Sequence, residues 1–295
     1  MLKCASVDER CGMTWRGVAW RGAGTRTSIQ PEIYGAFKRG TYDLRPGGLL
    51  PLHCGLINGT ATESLMPVLN AYPEGVRENA YMLNSAGYPC SEELPIVVGI
   101  RNGRAAADTL LAVFQAFPDA ALGDSDLLVS GNPTYEKQAT LLHYAMVYKA
   151  PGQLVDAVGK KHPEAAKQHN GSNNTPLRCG MEHQAPVGAV AAVLKAWPDA
   201  AKEVHPKSGM LPLHSGLAGN PDEYHPGGQV AEAVIAVLNA HPEAAKHRDK
   251  FGKTPLHYAI ENAAPAKLVA AVQDAWPEAK QVRDKSGKLP GESKH

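Results

Sequence analysis

The sequence predicts an all-α solenoid of about six repeats, in which each repeat is a pair of helices followed by a short polar loop. Three observations predict this fold class. Two sequence landmarks recur along the 295 residues. An apolar stripe with helical spacing precedes the first landmark. A small residue recurs at a fixed position that follows the second landmark. Internal repeats with a period of roughly 20 to 50 residues are typical of solenoid proteins.

The two landmarks set the repeat length. One is an aromatic residue or His followed by Pro and an acid, as in "YPEG" from residue 72, and the other is a Pro-Leu-His phrase, as in "PLHCGL" from residue 51. They lie 22 residues apart in four copies, 23 in one and 30 in the fifth. The basic unit is therefore about 35 residues. Insertions near residues 79–93, 124–139 and 219–229 explain the longer spacings.

The Pro-Leu-His phrase begins the first helix of each repeat. Thr precedes Pro at Thr175 and Thr254, where Thr suits the N-cap and Pro suits the first helical residue. Thr140 caps a helix without a following Pro. Leu takes the place of Thr in the other copies, at an expected cost of about 1 kcal/mol for each lost cap. These residues are Leu50, Leu94 and Leu211.

A small residue then occupies one position in all six copies, and a large apolar residue follows it. This regularity predicts a close contact in which only a very small side chain fits. The small residues are Gly55, Gly99, Ala145, Gly180, Gly216 and Ala259.

The second helix carries apolar residues at i, i+3, i+4 and i+7, which indicates one buried helical face. Leu110, Val113, Phe114 and Phe117 illustrate the stripe. The Pro after it ends the helix, and segments such as "PEAAK" predict a short extra helical turn. In the polar loops that follow, one column suits a turn with positive φ. It contains Asn173, Gly209, Gly252 and Gly287.

Two helices, a polar loop and then Thr-Pro-Leu-His resemble the ankyrin repeat over about residues 43–295. We place the units at about 43–78, 79–123, 124–168, 169–203, 204–247 and 248–283, with a partial unit at 284–295. The unit is longer than the usual 33 or so residues of an ankyrin repeat. An aromatic-Pro-acid-Ala segment stands where the family has a Gly-Ala turn, so we expect a short helical turn instead of a regular β-hairpin.

The histidines of the phrase form one column, and the resemblance implies that Thr and His bond to each other and to neighbouring backbone. His53, His143, His214 and His257 share this column, in which Arg178 and Val97 replace His. A buried polar side chain at a repeat junction needs a partner, so we interpret the column as structural. These four histidines, and His162 and His241 in the aromatic column, are separated along the stack by about one repeat, which is too far to share a zinc ion.

Known catalytic signatures are missing from the sequence. "GAGTRT" from residue 22 lacks the Gly-Lys-Ser/Thr end of a phosphate-binding loop, and no GxSxG, HExxH or kinase motif is found. We therefore expect a protein that is not an enzyme and that binds no cofactor or metal.

The amino-acid composition bears on which classes of partner and which cellular compartment are expected. Lys and Arg total 30 against 29 Asp and Glu, so the charge gives no general argument for nucleic acid or an anionic membrane. No apolar run reaches the roughly 18 residues of a membrane helix. The five scattered cysteines favour a reducing compartment, and we expect an intracellular, cytoplasmic protein.

Residues 1–42 form a separate basic segment. One interpretation is a flexible tail with an irregular cap. The other is an Arg-rich organelle-targeting segment, although the acidic residues Asp8 and Glu9 are unusual in such a segment.

The leading functional hypothesis is a monomeric protein-interaction scaffold or adaptor, with a protein partner, no nucleic acid and no membrane insertion. Two alternatives remain: a regulatory or substrate-presenting module of a larger enzyme or signalling chain, in line with the incomplete seventh copy, and a subunit of an organellar assembly. Charged loops and two aromatic residues in the insertions are the expected contacts. They are Tyr88, Lys207, Tyr224, His247, Arg248, Lys250, Lys253, Arg283 and Lys285.

Overall fold

The computed structural model describes residues 51–83, 89–122, 138–219 and 229–292. The chain divides into two compact units, Met1–Tyr42 and Asp43–His295, and every described residue lies in the second.

Twelve α-helices in the described residues form six consecutive pairs, as the sequence predicted. The first three pairs are α1 (Pro51–Ile57) with α2 (Thr62–Ala71), α3 (Pro95–Asn102) with α4 (Ala107–Ala116), and α5 (Leu141–Val147) with α6 (Gly152–Lys161). The last three are α7 (Pro176–Glu182) with α8 (Val187–Ala196), α9 (Pro212–Leu217) with α10 (Gln229–Ala240), and α11 (Pro255–Glu261) with α12 (Ala266–Ala275).

The pairs stack so that first helices contact first helices and second helices contact second helices. The predicted apolar stripe faces inward: Leu110, Val113, Phe114 and Phe117 of the second repeat are all buried. One continuous buried cluster runs through all six pairs. A repeat of about 35 residues is too small to bury a core alone, so each pair depends on its neighbours for stability.

The first helices begin where the capping residues predict. Thr140, Thr175 and Thr254 are N-caps with extended backbone, and the Thr175 hydroxyl accepts the N–H of Arg178 at 3.3 Å. Leu211 has no hydroxyl, but its N–H donates to Nδ1 of His214 at 3.3 Å. A histidine nitrogen therefore satisfies the backbone at a helix start that lacks a Thr cap.

The column of small residues marks close helix packing. A Cβ at Gly180 would lie 2.2 Å from the Met146 methyl, and a Cβ at Gly216 would lie 3.0 Å from a Val234 methyl. The predicted tight contact is therefore present at these positions.

Each second helix ends before a 3-10 helix, which is the short helical turn that the Pro-acid-Ala segments predict. The turn does not replace the loop that follows it, because a tight hairpin-like turn, called here a finger, comes after each of the last four 3-10 helices of the described residues. The 3-10 helices are Pro73–Arg77, Pro118–Leu122, Pro163–Lys167, Pro198–Lys202, Pro242–Lys246 and Pro277–Gln281.

The first insertion contains the two strands found in the described ranges. Strands β1 (Ala80–Leu83) and β2 (Pro89–Glu93) pair antiparallel, with an irregularity between Met82 and Leu83. The sequence did not predict this hairpin. The other two insertions lie mostly outside the described residues, and so do Tyr88 and Tyr224.

Candidate functional site

At three junctions a histidine of the column connects one repeat to the next. In His143, Nδ1 accepts the N–H of Thr140 at 3.0 Å, which places the ring proton on Nε2. That Nε2 donates to the carbonyl of Asn174, in the following repeat, at 3.0 Å. His257 has the same arrangement, with Thr254 N–H at 3.1 Å and the Lys288 carbonyl at 3.3 Å.

Burial keeps several of these rings neutral. It lowers the pKa of His53, His143 and His214 from 6.5 to about 4. The Nε2–H groups of His53 and His143 bond to the following repeat, and His53 donates to the Glu93 carbonyl at 3.1 Å, whereas the buried Nε2 of His214 has no hydrogen-bond partner among the described residues. The column therefore has a structural arrangement that is closed to a ligand.

Two other side chains at the histidine position, Arg178 and Glu292, keep parts of this role, whereas the apolar Val97 does not. The Arg178 guanidinium donates to the Met210 carbonyl at 3.3 Å and pairs with Glu182 at 2.9 Å. At the end of the array, Glu292 occupies the histidine position and its carboxylate accepts the Leu289 N–H at 2.8 Å. The junction thus needs an acceptor for the helix start or a donor to the next repeat, and several side chains supply one.

Four fingers lie along one edge of the described array: finger A (168–175), finger B (203–211), finger C (247–254) and finger D (282–289). Two backbone bonds close each of them, and one side chain accepts N–H groups of the turn. Asn170, Asp249 and Asp284 do this in fingers A, C and D through Oδ1. In finger B, Nδ1 of His205 accepts the Ser208 N–H at 3.3 Å.

Fingers B, C and D are joined directly by backbone bonds. The Lys250 N–H donates to the Ser208 carbonyl at 3.0 Å, and the Lys285 N–H donates to the Phe251 carbonyl at 2.9 Å. Gly252 has a φ of 76°, and a Cβ there would lie 2.9 Å from the Lys285 nitrogen. The three turns therefore form one row with little freedom to move apart, which is called the finger row below.

Two of the predicted contact residues bond within the protein near the base of the fingers. His247 donates from Nε2 to the Gly209 carbonyl at 2.9 Å. The Lys253 ammonium lies 2.6 Å from a Glu261 carboxylate oxygen and 5.4 Å from the centre of the Tyr258 ring. Both side chains are half-buried, and both connect elements of the array.

The two arginines brace the row. Arg248 donates to the Gly252 carbonyl in its own finger at 3.1 Å and to the Arg283 carbonyl in the next at 2.6 Å. Arg283 repeats the first of these contacts with the Gly287 carbonyl at 2.6 Å. Their charges face solvent while several of their N–H groups are used by backbone carbonyls.

Three predicted contact residues are exposed lysines at the finger tips. Lys207, Lys250 and Lys285 belong to fingers B, C and D respectively, and none of the three makes an ion pair with another described residue. The Lys250 ammonium also donates to the Pro206 carbonyl in the neighbouring finger.

The acids of fingers C and D point inward. Asp249 accepts the Phe251 and Lys253 N–H groups through Oδ1 and the Tyr258 hydroxyl through Oδ2 at 2.7 Å, and burial together with that bond raises the pKa of Tyr258. Bonds to its own turn lower the pKa of Asp284. The exposed charge of these fingers is therefore cationic.

Sequence reasoning missed Phe251, at the tip of finger C. Its side chain is 64% exposed, and Val204 in finger B is 47% exposed; these two are the exposed large apolar residues of the described ranges. A signal was present in the sequence, because the equivalent position holds Ser in the other fingers. Those residues are Ser172, Ser208 and Ser286.

The described residues contain neither a metal-binding cluster nor a helix suited to a membrane. No group of three or more His, Cys, Asp or Glu side chains there is placed to hold a metal ion. None of the helices within those ranges combines the length and the apolar character that crossing a membrane requires.

Comparison with known proteins finds similarity at the level of structure. No protein-family model and no curated protein matches the sequence. The ankyrin repeat domain of Bcl-3, a unique member of the IkappaB protein family, matches with a TM-score of 0.51 and 15% identity, over 83% of this chain and 93% of that one. The human ASB11 ankyrin repeat domain matches with a TM-score of 0.52 and 14% identity, over 83% of this chain and 92% of that one. Identities this low establish a common fold and carry no partner across.

Proposed function

Because the chain has the ankyrin-repeat fold, we propose that it is a non-enzymatic scaffold or adaptor that binds a protein through its finger row. The observation that carries the proposal is the row itself: three turns held in register by backbone bonds, with Lys207, Lys250 and Lys285 exposed at their tips. A surface ordered before binding loses little conformational freedom on association, which favours affinity.

The different contacts of the basic side chains within the fingers support the finger row as the binding surface. Arg248 and His247 bond to neighbouring fingers and Arg283 bonds within its own, while the tip lysines have no such structural partner beyond one carbonyl at Lys250. A side chain that stabilises nothing within the protein and faces solvent at an ordered edge is available for a partner. Charged groups at such an edge also steer association and select partners.

Affinity purification followed by mass spectrometry tests the proposal. The tagged full chain is compared with a triple variant, Lys207→Glu, Lys250→Glu and Lys285→Glu. The control reverses three exposed lysines away from the fingers, Lys161→Glu, Lys167→Glu and Lys280→Glu, so that the net charge is the same. We expect the wild type and the control to recover the same proteins and the finger variant to lose them. Equal recovery by both variants would remove the finger row as the binding surface.

We propose further that the chain is a cytoplasmic monomer and that nucleic acid is not its ligand. The near-balanced charge argues against nucleic acid as the ligand, and the scattered cysteines favour a reducing compartment. Light scattering of the purified 295-residue chain should give a mass near 31.4 kDa. A dimer mass would contradict the monomer, and an organellar signal from a tagged chain in cells would contradict the compartment.

A further inference from the structure

The finger row combines exposed apolar and cationic side chains, and from this combination we infer that it binds a short acidic protein segment that also carries an apolar side chain. The inference rests on the proposed function and specifies the chemistry of the partner at the same surface.

Phe251 is the apolar anchor of the surface. Three equivalent finger positions hold Ser, so the turn itself does not need an aromatic residue there. The Phe251 side chain is 64% exposed and therefore contributes little packing to the fold. Aromatic residues that become buried at an interface are common binding hot spots. A partner that covers Phe251 buries the apolar surface of this side chain, which is exposed to solvent in the isolated chain.

Val204 extends the apolar surface to the neighbouring finger. It is the other exposed large apolar residue of the described ranges, and it lies in finger B, which is bonded to finger C. Exposed apolar side chains scattered singly need no explanation, but these two occur on adjacent fingers of one row. Two exposed apolar side chains on neighbouring fingers suit a partner with an apolar amino-acid side chain.

The charges of the finger row determine whether an acidic or a basic partner is favoured. The acids in fingers C and D are Asp249 and Asp284, which are 5% and 9% exposed and bonded to their own turns. Fingers B to D expose five cations, of which Arg283 lies 3.6 Å from the Glu292 carboxylate, against one half-buried acid, Glu203 in finger B, so a partner with carboxylates complements the row. These cations are Lys207, Arg248, Lys250, Arg283 and Lys285.

The same surface is less suited to single-stranded nucleic acid. Proteins of that kind stack successive bases on several aromatic side chains along a basic groove. The finger row offers one exposed aromatic residue, Phe251, and the whole chain carries a formal charge of only +1. A peptide with one apolar group and several carboxylates matches both the anchor and the cations.

The length of the partner segment follows from the spacing of the row. Packed helices lie about 8–10 Å apart, so the fingers of successive repeats lie roughly 10 Å apart and fingers B to D span roughly 20 Å. An extended peptide advances about 3.3 Å per residue, so about six or seven residues cover the row.

Selection from a library of random 12-residue peptides, displayed on phage and captured by the immobilised full chain, tests the inference. We expect the enriched peptides to contain more Asp and Glu than the starting library, together with an apolar residue. Enrichment of neutral or basic peptides, or no enrichment at all, would overturn the acidic partner. The proposed function would survive that result if affinity purification still recovered a protein in a finger-dependent way.

The binding site of the enriched peptides is located with matched variants. Phe251→Ser introduces the residue of the equivalent fingers, and Lys250→Ser with Lys285→Ser removes two tip charges. The control is Lys167→Ser with Lys280→Ser, and circular dichroism confirms that all variants are folded. In fluorescence anisotropy we expect the Kd to weaken by about tenfold or more for each finger variant and by less than about twofold for the control.

Two further binding measurements vary the salt concentration and replace the peptide with an oligonucleotide. Raising NaCl from about 50 to 300 mM should weaken peptide binding, because salt screens exposed charges. A labelled 20-nucleotide oligo(U) should bind the wild type more weakly than the peptides do. Unchanged peptide affinity in Phe251→Ser, or tighter Phe251-dependent binding of the oligonucleotide, would overturn the inference.

Discussion

Replacing Gly152 with Ala tests how closely two neighbouring second helices approach each other. Gly152 is the first residue of α6, and a Cβ placed there would lie 2.7, 2.9 and 3.0 Å from the carbonyl carbon, the oxygen and the Cα of Gly188 in α8. All three atoms are backbone, so no rotamer change relieves the clash. Gly188→Ala is the matched control, because its Cβ would lie 3.7 Å from the Gly152 Cα.

The magnitude follows from these distances. The two helices must separate by about 0.7 Å to bring the shortest distance from 2.7 Å to the 3.4 Å at which ordinary contact begins. Forcing extra atoms into a packed contact costs about 1–3 kcal/mol. The helical preference of Ala over Gly offsets at most about 1 kcal/mol of that cost, and it is the main effect in Gly188→Ala. A loss of about 2 kcal/mol corresponds to a fall of about 4–8 °C in Tm for a domain of this size.

Urea and thermal unfolding, followed by far-ultraviolet circular dichroism, measure both variants beside the wild type. We expect Gly152→Ala to unfold at lower urea and lower temperature, and Gly188→Ala to match or exceed the wild type. If the two variants were equally destabilised, or if Gly152→Ala were neutral, the close approach of α6 and α8 would be refuted.

Three further predictions concern the capping network, the buried histidines and the finger tip. Thr254→Ala should cost about 1–2 kcal/mol, because it removes a buried N-cap hydroxyl, whereas Thr254→Ser should cost much less; equal losses in urea unfolding would contradict the role of the hydroxyl. The folded pKa of His53, His143 and His214 is about 4 against an ordinary 6.5, so the unfolded chain binds protons first as the pH falls. Stability should therefore be steady above about pH 7 and fall through the window from 6.5 to 4, by about 2 kcal/mol per ring at pH 5; equal urea midpoints at pH 7.5 and pH 5 would exclude this. Phe251→Ser should change the free energy of unfolding by less than about 0.5 kcal/mol, since the side chain is exposed, and a loss above about 1 kcal/mol would assign it a structural role.

Local chemistry made the helix starts and the column of histidines predictable from the sequence. Thr175 and Thr254 precede Pro, and both are N-caps in the structure. The repetition of His143 and His257 at one position predicted a junction contact, and both bond to the next repeat. Such features follow from short sequence spacing and from repetition, which one sequence contains.

The β-hairpin and the two-part loop were harder to foresee. Residues 80–93 lack regular alternation of apolar and polar residues, and β1 and β2 pair only with each other. The segment after each second helix predicted a helical turn, and that turn is present at Pro163–Lys167 and its equivalents. From Pro163–Lys167 onward a finger still follows this turn, because a 35-residue unit is long enough to contain both the helical turn and the finger.

The roles of the charged loop residues depend on distances that a sequence does not contain. Arg248 and Lys250 stand two positions apart and look alike in the sequence. In the structure Arg248 bonds to carbonyls of fingers C and D, while Lys250 lies at an exposed tip. Phe251 was overlooked because its exposure is visible only when the fingers are aligned in space, although its three Ser counterparts marked it as unusual.

Hydrogen–deuterium exchange of the full chain, with and without a partner recovered by affinity purification, tests the central claim most directly. Binding should slow exchange in residues 203–211, 247–254 and 282–289, with the finger C tip at Phe251 among the strongest changes. Slowed exchange confined to the second helices and the 3-10 helices, with unchanged fingers, would contradict the account.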